Sequence, residues 1–293
     1  MLIWGMTFVS TKVLLRSFSP VEILFLRFLI GFFALYLLSP GRMQIKDRRH
    51  ELYFAGIGLT GITLYFLLEN IALLYTYASN VGVITALTPF SVAICSHLFL
   101  KDEKLTLHFF TGFLLATTGI FLIHFNGTHA LQLNPRGDLL AILGGIVWGF
   151  YSVLVRKVAR YHYNTLQVTR RSFFYGLLFL LPTLFFIDVQ WDLARLGQPR
   201  NLFNILYLGL GASAFCFASW NWAIKVLGTI RSSAYIYLGP VVTVIAAALI
   251  LSERITLLAI LGTALALCGL FLSELRNLPR RQSATPGTPP DSG

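Results

Sequence analysis

Residues 69–89 read ENIALLYTYASNVGVITALTP, and residues 220–240 read WNWAIKVLGTIRSSAYIYLGP. Laid over each other at an offset of 151, the two stretches share Asn70 with Asn221, Ala72 with Ala223, and Pro89 with Pro240. Toward the N-terminus, Trp4-Gly5 returns as Trp148-Gly149 and Arg27 as Arg171, both 144 residues on. Toward the C-terminus, Glu103, Thr106, Gly112 and Gly119 return as Glu253, Thr256, Gly262 and Gly269, at an offset of 150. One unit is therefore written twice along the chain.

Composition says what the unit is made of. The chain of 293 residues is 56% apolar and only 12% charged, against about 25% charged in an average soluble domain. Ten apolar stretches follow one another, near 1–17, 20–39, 52–75, 79–100, 105–125, 138–159, 165–187, 203–226, 231–251 and 256–273. Most reach the roughly 17 to 25 residues that a helix needs to cross hydrocarbon at about 1.5 Å per residue. The pattern predicts an all-α membrane protein. Each repeat holds five spans, an odd number, so the second repeat enters the bilayer upside down relative to the first. Ten transmembrane helices then form two inverted five-helix repeats around a central cavity, over 1–126 and 137–275. Such a build places a solute site at the repeat interface and opens it to alternate sides. The tail 276–293, rich in Pro, Gly and Ser, reads as disordered and cytoplasmic.

The net charge of +11 would suggest nucleic acid in a soluble chain. Its distribution gives a topology signal instead. Of the 23 Lys and Arg, Lys12 and Arg27 lie within spans, and Arg16, Arg136, Arg195, Arg200 and Arg254 fall on one side. All the others fall on the side that carries both termini, which the positive-inside rule makes cytoplasmic. Membrane lipid is thus an expected partner and nucleic acid is not. A multi-pass protein of the plasma membrane, a bacterial inner membrane, is expected.

Cys95, Cys216 and Cys268 lie in apolar runs without pairing or ligand spacing, and the six His are scattered. No metal, cofactor or catalytic group is expected. An intramembrane enzyme would need a nucleophile–base pair or a ligand set facing a cavity, and the sequence offers neither. The first span begins at Met1 with nothing polar before it, so either the start is misassigned or the chain is truncated. A cleaved signal peptide is the rival reading, but it lacks a basic leader and a cleavage site.

Small residues mark close helix contacts: Gly145 with Gly149, Gly112 with Gly119, and Gly262 with Gly269. They read as packing faces within the chain, with a homodimer seam of spans five and ten as the alternative. Pro89 and Pro240 interrupt spans four and nine at matching places and are candidate helix breaks for gating.

Polar groups inside hydrocarbon are costly, and each is a functional candidate. Glu69 is the one carboxylate well inside a span, with Arg27 and Lys12 near its depth on neighbouring spans. A static Glu69–Arg27 ion pair is one reading. The other is a site in which the basic groups receive a substrate carboxylate while Glu69 takes up a proton. Asn70 and Asn221 need partners in lipid, and Trp4, Trp148, Trp220 and Tyr237 supply aromatic surface suited to a cavity wall.

The runs WGMTFVSTKVLL, SPVEILFLRFLIGF, ENIALLYTYASNVGVITALTPF and KDEKLTLHFFTGFLLATTGIFLI, with WGFYSVLVRK, WNWAIKVLGTIRSSAYIYLGPVV and LSERITLLAILGTALALCGLFL in the second half, resemble a drug/metabolite transporter of the EamA type. The resemblance spans about residues 1–275. It implies ten helices in an inverted repeat, cytoplasmic termini, and Trp4, Arg27, Asn70, Trp148, Asn221 and Pro240 lining or shaping the cavity. It also implies export of small metabolites, amino acids foremost, by a secondary transporter. Sugars or phosphorylated metabolites are the alternative cargo, and a non-transporting receptor or scaffold the alternative class. Glu69 stands outside the general pattern.

Overall fold

The computed structural model describes residues 1–76, 81, 84–103, 105–124, 134–184, 193–239, 241–242 and 257–274. Among these residues every regular element is helical. Apolar chain of this length folds so because a helix satisfies its own N–H and C=O groups where lipid cannot. The helices Pro20–Leu38, His50–Tyr75, Pro135–Ala159 and Pro199–Leu227 are long and apolar enough to cross a membrane. Thr88–Phe99, Leu107–Ile123 and Ile260–Ser273 are shorter apolar helices. Thr165–Leu184 adds a further long helix. The expected tail 276–293 lies outside the described residues.

Helix starts follow local chemistry. Ser19 and Glu22 close a reciprocal cap: the Ser19 N–H donates to Glu22 Oε2 at 2.6 Å, and the Glu22 N–H donates to Ser19 Oγ at 3.3 Å. Pro20 follows in the first turn, where its missing N–H costs nothing. Asn134 caps the Pro135–Ala159 helix by accepting from the Gly137 N–H. Two boundaries differ from expectation. Between the apolar stretches 165–187 and 203–226, Leu193–Gly197 is a short helix and the next begins at Pro199, ahead of the stretch read from hydropathy. Pro199 opens that helix, and Asn201 and Asn204 bury their amides on backbone carbonyls, which lets polar chain enter the packed region. The first span is not one rod; it divides at Met6 into Leu2–Gly5 and Thr7–Leu14.

Pro89 also differs from the mid-helix break read from the sequence. The chain turns at Ala86-Leu87, and Pro89 lies in the first turn of Thr88–Phe99. It therefore removes no hydrogen bond within a helix; it begins one. Pro240 lies outside the described residues.

The duplication reappears in backbone geometry. Within His50–Tyr75 the turns widen to a π-helix over Gly58–Leu64, and within Pro199–Leu227 they widen over Tyr207–Phe215. These are matching positions of the two repeats. Each wide turn presses on the other half. A Cβ on Gly58 would meet Ser172 O at 2.6 Å, and one on Gly209 would meet Ile30 Cβ at 2.7 Å.

Repeat-mate helices also meet directly. A Cβ on Gly112 would lie 2.6 Å from Gly269 O, and one on Gly119 would lie 2.4 Å from Gly262 O. Contacts that advance along one helix as they recede along the other mean that Leu107–His124 and Leu257–Glu274 run antiparallel. Pro20–Leu38 and Thr165–Leu184 do likewise, with Phe28 on Phe173 and Tyr36 under Arg170. The glycine faces of the fifth and tenth spans thus pack on each other within the chain. Gly145 and Gly149 pack on Thr88, Ser91 and Cys95.

Candidate functional site

The centre of the bundle is built from aromatic rings and two opposite charges. Arg27 projects from Pro20–Leu38 and is 1% exposed. Its Nε donates to Ser213 Oγ at 3.0 Å, and its guanidinium lies 4.6 Å from the Phe66 ring centre and 5.1 Å from that of Phe28. Ring faces and a hydroxyl offset part of the cost of taking this cation out of water. Ser213 lies in the Tyr207–Phe215 π segment, so the widened turn of one repeat supplies the partner for the other repeat's arginine.

Glu69 sits one helical turn beyond Tyr65 and is only partly covered. The Tyr65 hydroxyl reaches toward its carboxylate, and Arg27 is its charged neighbour. Among the described residues no ion pair within 4.0 Å joins Arg27, Glu69 or Lys12 to anything. The static Arg27–Glu69 pair is therefore not formed. The two charges share one neighbourhood without contact.

Beside them three tryptophans meet. Trp4 lies 6.0 Å from Trp148 and 5.3 Å from Trp220 between ring centres, and Trp148 lies 6.2 Å from Trp220. Phe217 fills their midst, 5.8 Å from Trp4 and 5.9 Å from Trp148. Tyr65 joins the charged side to the aromatic side, with its ring 4.7 Å from Trp148.

The hydrogen bonds divide these residues by role. Trp4 Nε1 donates to Ala212 O at 2.9 Å, which ties the first span to the eighth. Asn221 has a partner on each polar atom: its Oδ1 accepts from the Tyr151 hydroxyl at 2.5 Å, and its Nδ2 donates to Thr169 Oγ1 at 2.9 Å. That amide pins three helices together. Asn70 is half-satisfied, with Nδ2 donating to Pro20 O at 3.3 Å while its buried Oδ1 has no donor. The Nε1 atoms of Trp148 and Trp220 are buried without an acceptor.

Two expected members stand apart. Lys12 is exposed, because its helix turns Ser10, Thr11 and Leu14 inward instead. Tyr237 packs with Ala86, Ile120 and Ala266 in a separate cluster, and its buried hydroxyl has no partner. Sequence reasoning missed Ser213, Phe217 and Tyr151. Tyr151 follows Trp148 by one helical turn and was findable; Phe217 is one of 25 phenylalanines with nothing to mark it.

One end of the bundle is latched by charge. The Glu103 carboxylate accepts from the Thr229 N–H at 2.7 Å and the Ile230 N–H at 3.3 Å, at the start of the next helix. Gly228, at φ +91°, makes the turn, and a Cβ there would sit 2.5 Å from Glu103 Oε1. Arg156 donates to Ile224 O at 3.1 Å and Lys225 O at 2.9 Å, and pairs with Asp102 at 3.4 Å. Arg160 also pairs with Asp102. Partial burial raises the Asp102 carboxyl, but its backbone contact and the two arginines outweigh this and hold it below its ordinary 3.8. A polar cavity of about 180 Å³ lies here, with Glu103, Thr106, Arg156, Arg231 and Ser273 in its wall.

Fold and site together define an integral-membrane helical bundle with polar groups held at its centre. A model of the EamA-like transporter family matches residues 1–125 and 135–275. The chain belongs to the EamA-like transporter family, and its members are transporters, not enzymes. An uncharacterized transporter of Archaeoglobus fulgidus is 27% identical over 281 residues, 94% of this chain and 95% of its own. A probable terminal-alkyne amino-acid exporter of Streptantibioticus cattleyicolor is 28% identical over 286 residues, 97% of this chain and 94% of its own. A solved crystal structure aligns with a TM-score of 0.75 at 21% identity, covering 94% of this chain and 93% of that one. That likeness concerns the fold alone.

Proposed function

We propose that this protein is a secondary transporter of small metabolites, amino acids foremost, which it exports across the plasma membrane by alternating access. The observation that carries the reading is the Arg27–Glu69 neighbourhood: opposite charges inside the bundle, neighbours yet out of contact, beside an aromatic wall. Opposite charges held apart inside hydrocarbon favour a charged solute among them. A zwitterion answers both signs. The name of the Streptantibioticus cattleyicolor relative points the same way.

Ten spans in two inverted repeats around a central passage are part of this proposal, with both termini in the cytoplasm. Support comes from repeat mates that pack antiparallel, since helices of equal rank in a parallel repeat would run the same way. The latch at Glu103, Arg156 and Thr229 fits a carrier closed on that side.

The test is transport in liposomes of purified protein, with labelled leucine moving down its gradient. Leucine flux is expected in the wild type and absent after Arg27→Ala at equal folded yield. Glu69→Gln is expected to abolish the response of flux to a pH jump if Glu69 carries the coupling proton. Unchanged flux in both variants would remove this neighbourhood from the transport path.

A further inference from the structure

We infer that the substrate's carboxylate is held by the indole N–H groups of Trp148 and Trp220, with Arg27 as the nearby positive charge; this rests on the amino-acid reading above. Of the three clustered tryptophans, Trp4 already donates to Ala212 O. Trp148 and Trp220 are 5% and 7% exposed, and neither N–H has an acceptor. An indole nitrogen can only donate, so its one remedy is an acceptor brought to it. Buried donors left unmade are costly, and most such groups in proteins find partners. The two rings lie 6.2 Å apart between centres. Two donors on rings this close suit a group that carries two acceptor oxygens, and a carboxylate is such a group.

Arg27 adds positive charge beside this clamp, with one of its five N–H donors already committed. Its Nε donates to Ser213, and rings of Phe28 and Phe66 lie against its guanidinium. The neutral indoles would make a weaker clamp than a guanidinium fork. A carrier gains from that, because a solute held weakly can leave on the far side. The ammonium of the same solute belongs near Glu69 and Tyr65, and the Tyr65 ring lies against Trp148 at a tilt of 51°. The side chain then meets Trp4 and Phe217, whose surface is apolar. The substrate class is therefore the α-amino acids with apolar side chains.

Binding to the purified full chain in detergent, read by thermal stabilisation, tests this with three probes: leucine, leucinamide and 4-methylpentanoate. The wild type is expected to prefer leucine over leucinamide by about tenfold, since the amide lacks the anionic acceptor. Trp148→Phe and Trp220→Phe keep a ring and lose the N–H, and each is expected to erase most of that preference. Trp222→Phe is the control; Trp222 is 60% exposed on the same helix. In wild-type protein carrying ¹⁵N-labelled indoles, two buried N–H signals are expected to shift with leucine and stay put with leucinamide, a readout that needs no variant to fold.

A preference unchanged in both variants, with no indole shift, would overturn the clamp while leaving amino-acid transport standing. Binding of 4-methylpentanoate without leucine, lost in the same variants, would support the clamp and remove the amino-acid reading. If the wild type binds none of the three probes, both fall together.

Discussion

Arg27 and Arg171 occupy one position of the repeat, yet their surroundings differ. Arg171 Nε donates to Glu51 Oε2 at 2.9 Å, and Tyr175 donates to the same oxygen at 2.8 Å, so this arginine is closed into an ion pair. Arg27, among the described residues, meets a hydroxyl and ring faces and closes no ion pair. Duplication preserved the residue, and divergence of its neighbours set the role. Arg27→Ala is expected to lower stability in detergent by about 3 kcal/mol, because it empties the slot between Phe28 and Phe66 and strands Ser213. Arg27→Lys, which keeps charge but loses the flat face, is expected to recover less than half of that. A melting series of the three proteins checks both values. The arginine and Glu69 were legible in the sequence because charge inside hydrocarbon is rare. Ser213 and Phe217 were not, since nothing in a chain with 25 phenylalanines marks the one that reaches the centre.

At the scale of elements, the Leu107–His124 and Leu257–Glu274 pair shows how closely backbones approach when glycine permits. A methyl on Gly119 would stand 2.4 Å from Gly262 O, so neither helix could accept it without separating. Gly119→Ala is expected to lower the melting midpoint by several degrees, whereas Gly197→Ala, in open space, is expected to leave it unchanged. Thermal melts of both variants decide this.

The Glu103 latch makes a second prediction at this scale. Gly228→Ala introduces both positive-φ strain and a clash with Glu103 Oε1, so that end should loosen. A cysteine at Ser232, buried behind the latch, is expected to gain thiol-reagent labelling when Gly228→Ala is present. The acid response follows from Asp102. Its folded value is depressed below 3.8, so its contribution is present above pH 3.8 and is lost as pH falls through the depressed value. The melting midpoint in detergent is expected to fall as pH drops below that value, and Asp102→Asn should raise labelling at Ser232→Cys at neutral pH. The helices were legible from apolar length. The π segments were not, because a widened turn depends on what presses against it from the other half.

For the whole molecule, the central prediction is topological. With the native cysteines Cys95, Cys216 and Cys268 replaced, single cysteines at Asp102 and Arg254 are expected to label from opposite faces of the membrane. Labelling from one face would mean a repeat that is not inverted. By itself the sequence determined the solvent, the helical class and the duplication, because hydrocarbon admits few backbone solutions and because repeated residues are countable. Only the tertiary structure decided which charges touch. It left Arg27 apart from Glu69, closed Arg171 onto Glu51, gave each polar atom of Asn221 a partner, and left the buried Trp148 and Trp220 donors unpaired. Hydropathy constrains where a segment lies, whereas a hydrogen bond depends on the distance and angle between groups that sit far apart along the chain.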